Sequence, residues 1–139
     1  MELSLQMAQI LISKAIEKAT VEFKRPICVA VCDKYGFLIA FGRMDGAPVR
    51  SIELSQGKAY TAARMGVDTD AFLERLQREN VPASYFCDPR LTGLPGGTVL
   101  SDHNGAVLGG AGISGLKPQE DLAIANMMTA VIKDLLISN

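Results

Sequence analysis

The chain has 139 residues, enough for one domain with a real core and too few for two. Its hydrophobic share of 48% and charged share of 21% are those of an ordinary folded globule, which excludes a disordered or fibrous chain. A formal net charge of -1 without a basic cluster argues against nucleic acid as a partner. No apolar run approaches the roughly 18 residues of a bilayer span, so no membrane role is expected.

The N-terminal stretch "MELSLQMAQILISKAIEKA" carries acidic Glu2 and no basic leader, so it reads as an amphipathic helix and not a signal peptide. A cytoplasmic home follows. Leu3, Met7, Leu11, Ala15 and Ala19 form an i, i+4 row flanked by Ala8, Ile12 and Ile16, with Lys14, Glu17 and Lys18 toward solvent. After Pro26 come two β-rich runs, "ICVAVCD" and "FLIAFGRMD", around Asp33-Lys34-Tyr35-Gly36, which predicts a hairpin. The first run is apolar on both faces, so the sheet should be covered on both sides, one cover a helix and the other a subunit neighbour. Cys28 and Cys32 within it lie about 13 Å apart at strand rise, too far for a disulfide. With Cys87 they make an odd set without metal spacing, which predicts buried free thiols.

"DGAPVRSIELSQGKAYTAARMG" predicts a second helix, with Pro48 near its first turn, Gly66 past its end and a small inner face of Ser55, Ala59, Ala62 and Ala63. "TDAFLERLQREN" predicts a third helix with Thr69 as its cap. The segment 81–97 has three prolines and no clean period, yet Tyr85, Phe86 and Leu91 predict an ordered lid or interface arm. A second hairpin follows around Asn104-Gly105, and a last helix runs from about Pro118 to Leu136.

Residues 110–115, "GAGISG", satisfy the spacing G-x-G-x-x-G. A dinucleotide fingerprint also requires a second parallel strand after the helix, and here the last helix consumes the remaining chain. A phosphate loop fails as well, because no Gly-Lys-Ser/Thr follows. Gly109, Gly110 and Gly112 are expected where another backbone or a ligand approaches a strand closely. Amides near Ser114 and Gly115, ahead of a helix, could also receive a carboxylate or phosphate.

Two further places carry chemistry. Arg43 and Asp45 leave the second strand together before the Gly46 turn, either as a solvated pair or with the guanidinium placed for a ligand carboxylate. Lys58 either snorkels from apolar surface or emerges toward a pocket. Asp121 suits the positive end of the last helix, and His103, the sole histidine, falls at a hairpin tip.

The blocks "VAVCDKYGFLIAFGRMDGAP", "SQGKAYTAAR" and "LPGGTVLSDHNGAVLGGAGISG", with the closing acidic "ED" before "LAIA", resemble the GlcG/HbpS-like family over nearly the whole chain. That family includes the C-terminal domain of PduO-type proteins and small proteins near diol or glycerol dehydratase genes. The resemblance implies an α+β, profilin-like domain with about five antiparallel strands, terminal helices packed on the sheet, and a homo-oligomer larger than a dimer. Its motif positions here are Asp33, Gly36, Arg43, Asp45, Gly46, Lys58, Thr61, Gly96, Gly97, Gly105, Gly109, Gly112, Ser114, Gly115 and Asp121. It implies haem or corrinoid as ligand, linked to glycolate or cobalamin metabolism. It also implies haem ligation by a histidine toward the N-terminal part of the domain, where this chain has none.

The leading expectation is therefore a non-catalytic protein that binds a small molecule or tetrapyrrole through Arg43, Asp45, Gly46, Lys58, Gly112, Ser114 and Gly115. The alternatives are an enzyme on a small hydroxy- or oxo-acid using Lys58 or Asp45, and a purely structural oligomeric module.

Overall fold

The computed structural model describes residues 1–137. Helix α1 (Leu5–Lys18), capped by the Ser4 hydroxyl on the Met7 amide at 3.1 Å, runs through a π-helical turn (Ala19–Phe23) into β1 (Cys28–Asp33) and β2 (Leu38–Arg43). Helices α2 (Arg50–Met65) and α3 (Thr69–Glu79) follow, then a 3-10 turn (Ala83–Phe86), β3 (Gly97–Ser101), β4 (Val107–Ser114) and α4 (Pro118–Ile137). Neighbouring strands are antiparallel in the order β2-β1-β4-β3. This is the expected α+β architecture, with four strands among the described residues in place of about five. Segment 81–97 supplies no further strand before Gly97; its prolines remove ladder donors.

Both hairpins use one device. Asp33 Oδ1 accepts from the amides of Tyr35 (2.9 Å) and Phe37 (3.0 Å), and Gly36 closes the turn at φ +94°. Asp102 Oδ1 accepts in the same way from Asn104 (2.8 Å) and Ala106 (2.9 Å), with Gly105 at φ +84°. The turn signal is thus Asp-x-x-Gly, in which the carboxylate holds the bend and glycine takes the left-handed position.

Both faces of the sheet are covered by the chain's own helices, without the subunit neighbour expected for one of them. Helix α2 crosses β1, β4 and β3 on one face, and α1 and α4 cover the other. The larger core lies on the α1/α4 side, where Leu11, Ile27, Val29, Val31, Leu100, Ile113, Ile124, Met128 and Ile132 are fully buried. The α2 side is thin, built from Ala30, Cys32, Ala59 and Ala63. It is thin because β4 presents glycine there. A Cβ at Gly110 would stand 2.2 Å from the Ala59 carbonyl oxygen, and one at Gly112 would stand 2.0 Å from that of Ser55. Helix backbone rests on strand backbone, so the close approach is made by the chain itself.

Helix α3 and β3 are joined by side chains. Thr69 does not cap α3; Asp68 takes that position. The Thr69 hydroxyl instead accepts from Gly97 N at 2.9 Å, and Asp68 Oδ1 accepts from Val99 N at 2.9 Å. These bonds satisfy donors on an edge strand that lacks a further neighbour. The 81–97 segment is an ordered strap: Phe86 packs edge-on to Phe72 at 5.4 Å, and Thr92 N donates to the Thr61 hydroxyl at 2.9 Å.

Gly112→Ala should lower stability by about 3 kcal/mol or more, the upper end for overpacking, because the obstructing atom is backbone. Gly57→Ala is the control: its added carbon would meet only ordinary contacts at 3.6 and 3.8 Å, within a helix that favours alanine. Urea denaturation of the two variants checks this, and equal stabilities would contradict the close-approach account.

Candidate functional site

The tight seating of α2 on β4 carries Lys58 under the strand end. Its Nζ donates to the Ile113 carbonyl at 2.7 Å and pairs with Asp121 Oδ2 at 3.3 Å. The two side chains are only 4% and 5% exposed, so this is a buried ion pair. The other carboxylate oxygen, Asp121 Oδ1, accepts from Leu116 N at 3.2 Å. Ile113 N donates to Gly96 O at 2.9 Å, and a Cβ at Gly96 would come within 3.0 Å of Lys58 Nζ. The pair therefore joins α2, the end of β4, the turn after it and the first turn of α4.

Burial pulls the Lys58 ammonium below its ordinary value and pushes the Asp121 carboxyl up to about 6; the attraction between them opposes both shifts. Since Asp121 is raised from 3.8, its neutral form stabilises the fold below that pH, and the contribution is lost as pH rises through about 6. The lowered Lys58 acts in the opposite sense: its contribution is complete above 10.5 and is lost as pH falls through the folded value.

Above the pair lies a recess of about 150 Å³. Leu54, Leu94, Pro95, Leu116 and Pro118 form apolar walls, and Arg50, Ser114 and Gly115 complete the rim. Arg50 stands exposed in the first turn of α2 and enters none of the ion pairs among the described residues. Ser114 is 4% exposed. Gly115, at φ +130°, turns the chain where a Cβ would stand 2.8 Å from the Pro26 carbonyl oxygen.

Of the residues expected in a site, Lys58, Ser114 and Gly115 line this recess, while Gly112 lies against the Lys58 stem and does not line it. Arg43, Asp45 and Gly46 do not line the recess and are exposed. Cys28 pairs with Arg43 on one side and with Ser114 on the other, which sets Arg43 two strand spacings, about 10 Å, from the recess. Sequence reasoning missed Arg50 and the Leu94-Pro95 wall. The available signal was an arginine in the turn after Pro48, on the same helix as Lys58.

A second, open recess of about 310 Å³ shares Leu54 and continues along α2 past Gly57 to Arg90 and Thr92. The strap is clamped beside it: Tyr60 Oη donates to Asp88, and the Arg90 guanidinium lies 4.0 Å over the Tyr60 ring. Among the described residues no group of three or more His, Cys, Asp or Glu side chains is arranged to hold a metal. His103 lies outside both recesses, with Nε2 3.1 Å from the Lys133 carbonyl. Cys28 and Cys32 are buried free thiols, Cys32 pushed up to about 12 by burial, whereas Cys87 is exposed and not buried as expected.

Residues 3–130 match the family model described as haem degrading protein HbpS-like. The chain belongs to the HbpS-like family. Curated relatives of this HbpS-like chain include protein GlcG of Escherichia coli K12, 34% identical over 81% of both chains. Another is the corrinoid adenosyltransferase PduO of Salmonella typhimurium, 31% identical over 85% of this chain and 35% of that one. Among solved structures, a PduOC:heme complex is similar at 28% identity, with a TM-score of 0.84 and 94% of each chain covered. The fold and the recess described above are thus those of an HbpS-like chain.

Asp121→Ala should cost about 3–5 kcal/mol, because it leaves a buried ammonium without its counter-charge. The double variant Lys58→Met/Asp121→Ala should recover most of that loss, and simple additivity in the cycle completed by the single Lys58→Met variant would contradict the pairing. In the wild type, carbon-13 NMR should follow the Asp121 carboxyl through a midpoint near 6.

Proposed function

We propose that this protein is a non-catalytic binding protein for a tetrapyrrole, haem or corrinoid, held by its edge. The observation that carries the reading is the likeness to the PduOC–haem complex over almost the whole chain. Arg50 supports it, as a guanidinium at the mouth of an apolar recess able to fork onto a carboxylate.

The residues fit the edge of such a ligand and not its iron. No histidine, cysteine or methionine lines the recess, and at about 150 Å³ it is smaller than the 300–1,000 Å³ of pockets that enclose drug-sized ligands. A tetrapyrrole bound there keeps its macrocycle outside the recess, over the neighbouring groove toward Arg90. Lys58, the residue considered for acid/base work, is engaged by Ile113 O and Asp121, which favours binding over catalysis.

The likeness to PduO makes a cobalamin-dependent diol or glycerol pathway the setting we propose, with a glycolate pathway the alternative suggested by GlcG. A cytoplasmic home agrees with three free cysteines. Self-association beyond a dimer agrees with the exposed Tyr35, Phe37 and Leu38 at the start of edge strand β2. Size-exclusion chromatography at micromolar concentration should give an assembly larger than a dimer, and a monomer would overturn that part.

Titration with haemin and with cobalamin, followed by absorbance, tests the ligand class. A saturable spectral change with at least one of them is expected. For haemin it should survive His103→Ala. No change with either ligand would overturn the reading.

A further inference from the structure

The recess has the makings of a specific subsite whose occupant can be stated by chemistry. Ser114 is 4% exposed and lines the recess. Arg50 sets on the same recess a guanidinium that enters no ion pair among the described residues. The Lys58–Asp121 pair beneath is balanced in charge, so Arg50 decides the sign of the rim.

The size is equally informative. About 150 Å³ has room for a carboxylate and a few methylenes. Leu54, Leu94 and Pro95 provide the apolar wall that methylenes require.

We propose that this recess takes a short carboxylate arm, its oxygens held by the Arg50 guanidinium and the Ser114 hydroxyl and its carbons laid against Leu54, Leu94 and Pro95. Two sources share that chemistry: the propionate arm of a tetrapyrrole, and a free acid of two to four carbons. The first source rests on the function proposed above; the second does not. Arg50 is then the residue that selects acid over amide or ester, since a guanidinium meets a carboxylate through two parallel bonds.

Two measurements separate the sources. Nitrogen-15 NMR of the full chain with millimolar sodium propionate should move the amides of Ser114, Gly115 and Leu116 saturably. Propionamide should bind at least about tenfold more weakly, and Arg50→Gln should lose the propionate response by a similar factor. Arg50 is exposed, so the variant is expected to fold, and circular dichroism checks that. In parallel, haemin and its dimethyl ester are titrated against wild type and Arg50→Gln. A propionate arm in the recess makes the ester about tenfold weaker than haemin on wild type and indifferent to Arg50→Gln.

Propionate binding without haemin binding upholds the recess, assigns the free acid, and removes haem from the tetrapyrrole reading. Haemin and its ester binding alike, both indifferent to Arg50→Gln and with no propionate response, overturn the subsite and leave the tetrapyrrole reading standing.

Discussion

Helix α2 can sit where it does only because β4 has no side chains beneath it. Gly110 and Gly112 remove the two Cβ atoms that would strike the Ala59 and Ser55 carbonyls, and the helix lies directly on the strand. Little apolar area is buried on that side, where the core reduces to Ala30, Cys32, Ala59 and Ala63. The larger hydrophobic contribution comes from the opposite face, under α1 and α4. The α2 layer is thus a positioning device laid on a sheet stabilised elsewhere.

From that contact the site follows by geometry. At the distance the glycines allow, Lys58 reaches past the strand end to the Ile113 carbonyl and meets Asp121 from the first turn of α4. An ion pair so deeply buried is a poor source of net stability, since desolvation of both charges offsets most of their attraction. What it fixes is the mutual placement of four chain segments, and with them the floor of the recess. Arg50 lies two helical turns earlier on the same helix, on the same side, so one helix sets both the locked amine and the guanidinium.

Much of this was legible in the chain and some was not, for identifiable reasons. Three glycines in four strand positions announced a close approach, because glycine there is unfavourable without one. The hairpins were legible through aspartate and glycine at fixed offsets. The approaching body, α2, was not identifiable, since a glycine strand does not specify what lies on it. Arg43 and Asp45 were weighted for their charges, but β1 stands between β2 and β4, and strand order is a long-range property that local pattern does not encode. Asp121 is legible as a residue suited to a helix start, but its partner 63 residues away leaves no local signal. Local pattern points Thr69 to the nearest helix end, whereas its hydroxyl serves Gly97 on an edge strand.

We propose that the recess at the end of β4 in this HbpS-like fold is acid-selective, with the ring of any tetrapyrrole ligand left outside it. A crystal structure grown with haemin tests that claim most directly. The account predicts density with one propionate in the recess, within hydrogen-bonding reach of Arg50 and Ser114, and no bond from His103 to the iron. Haemin seated elsewhere on the molecule, with the recess filled only by water, would contradict it.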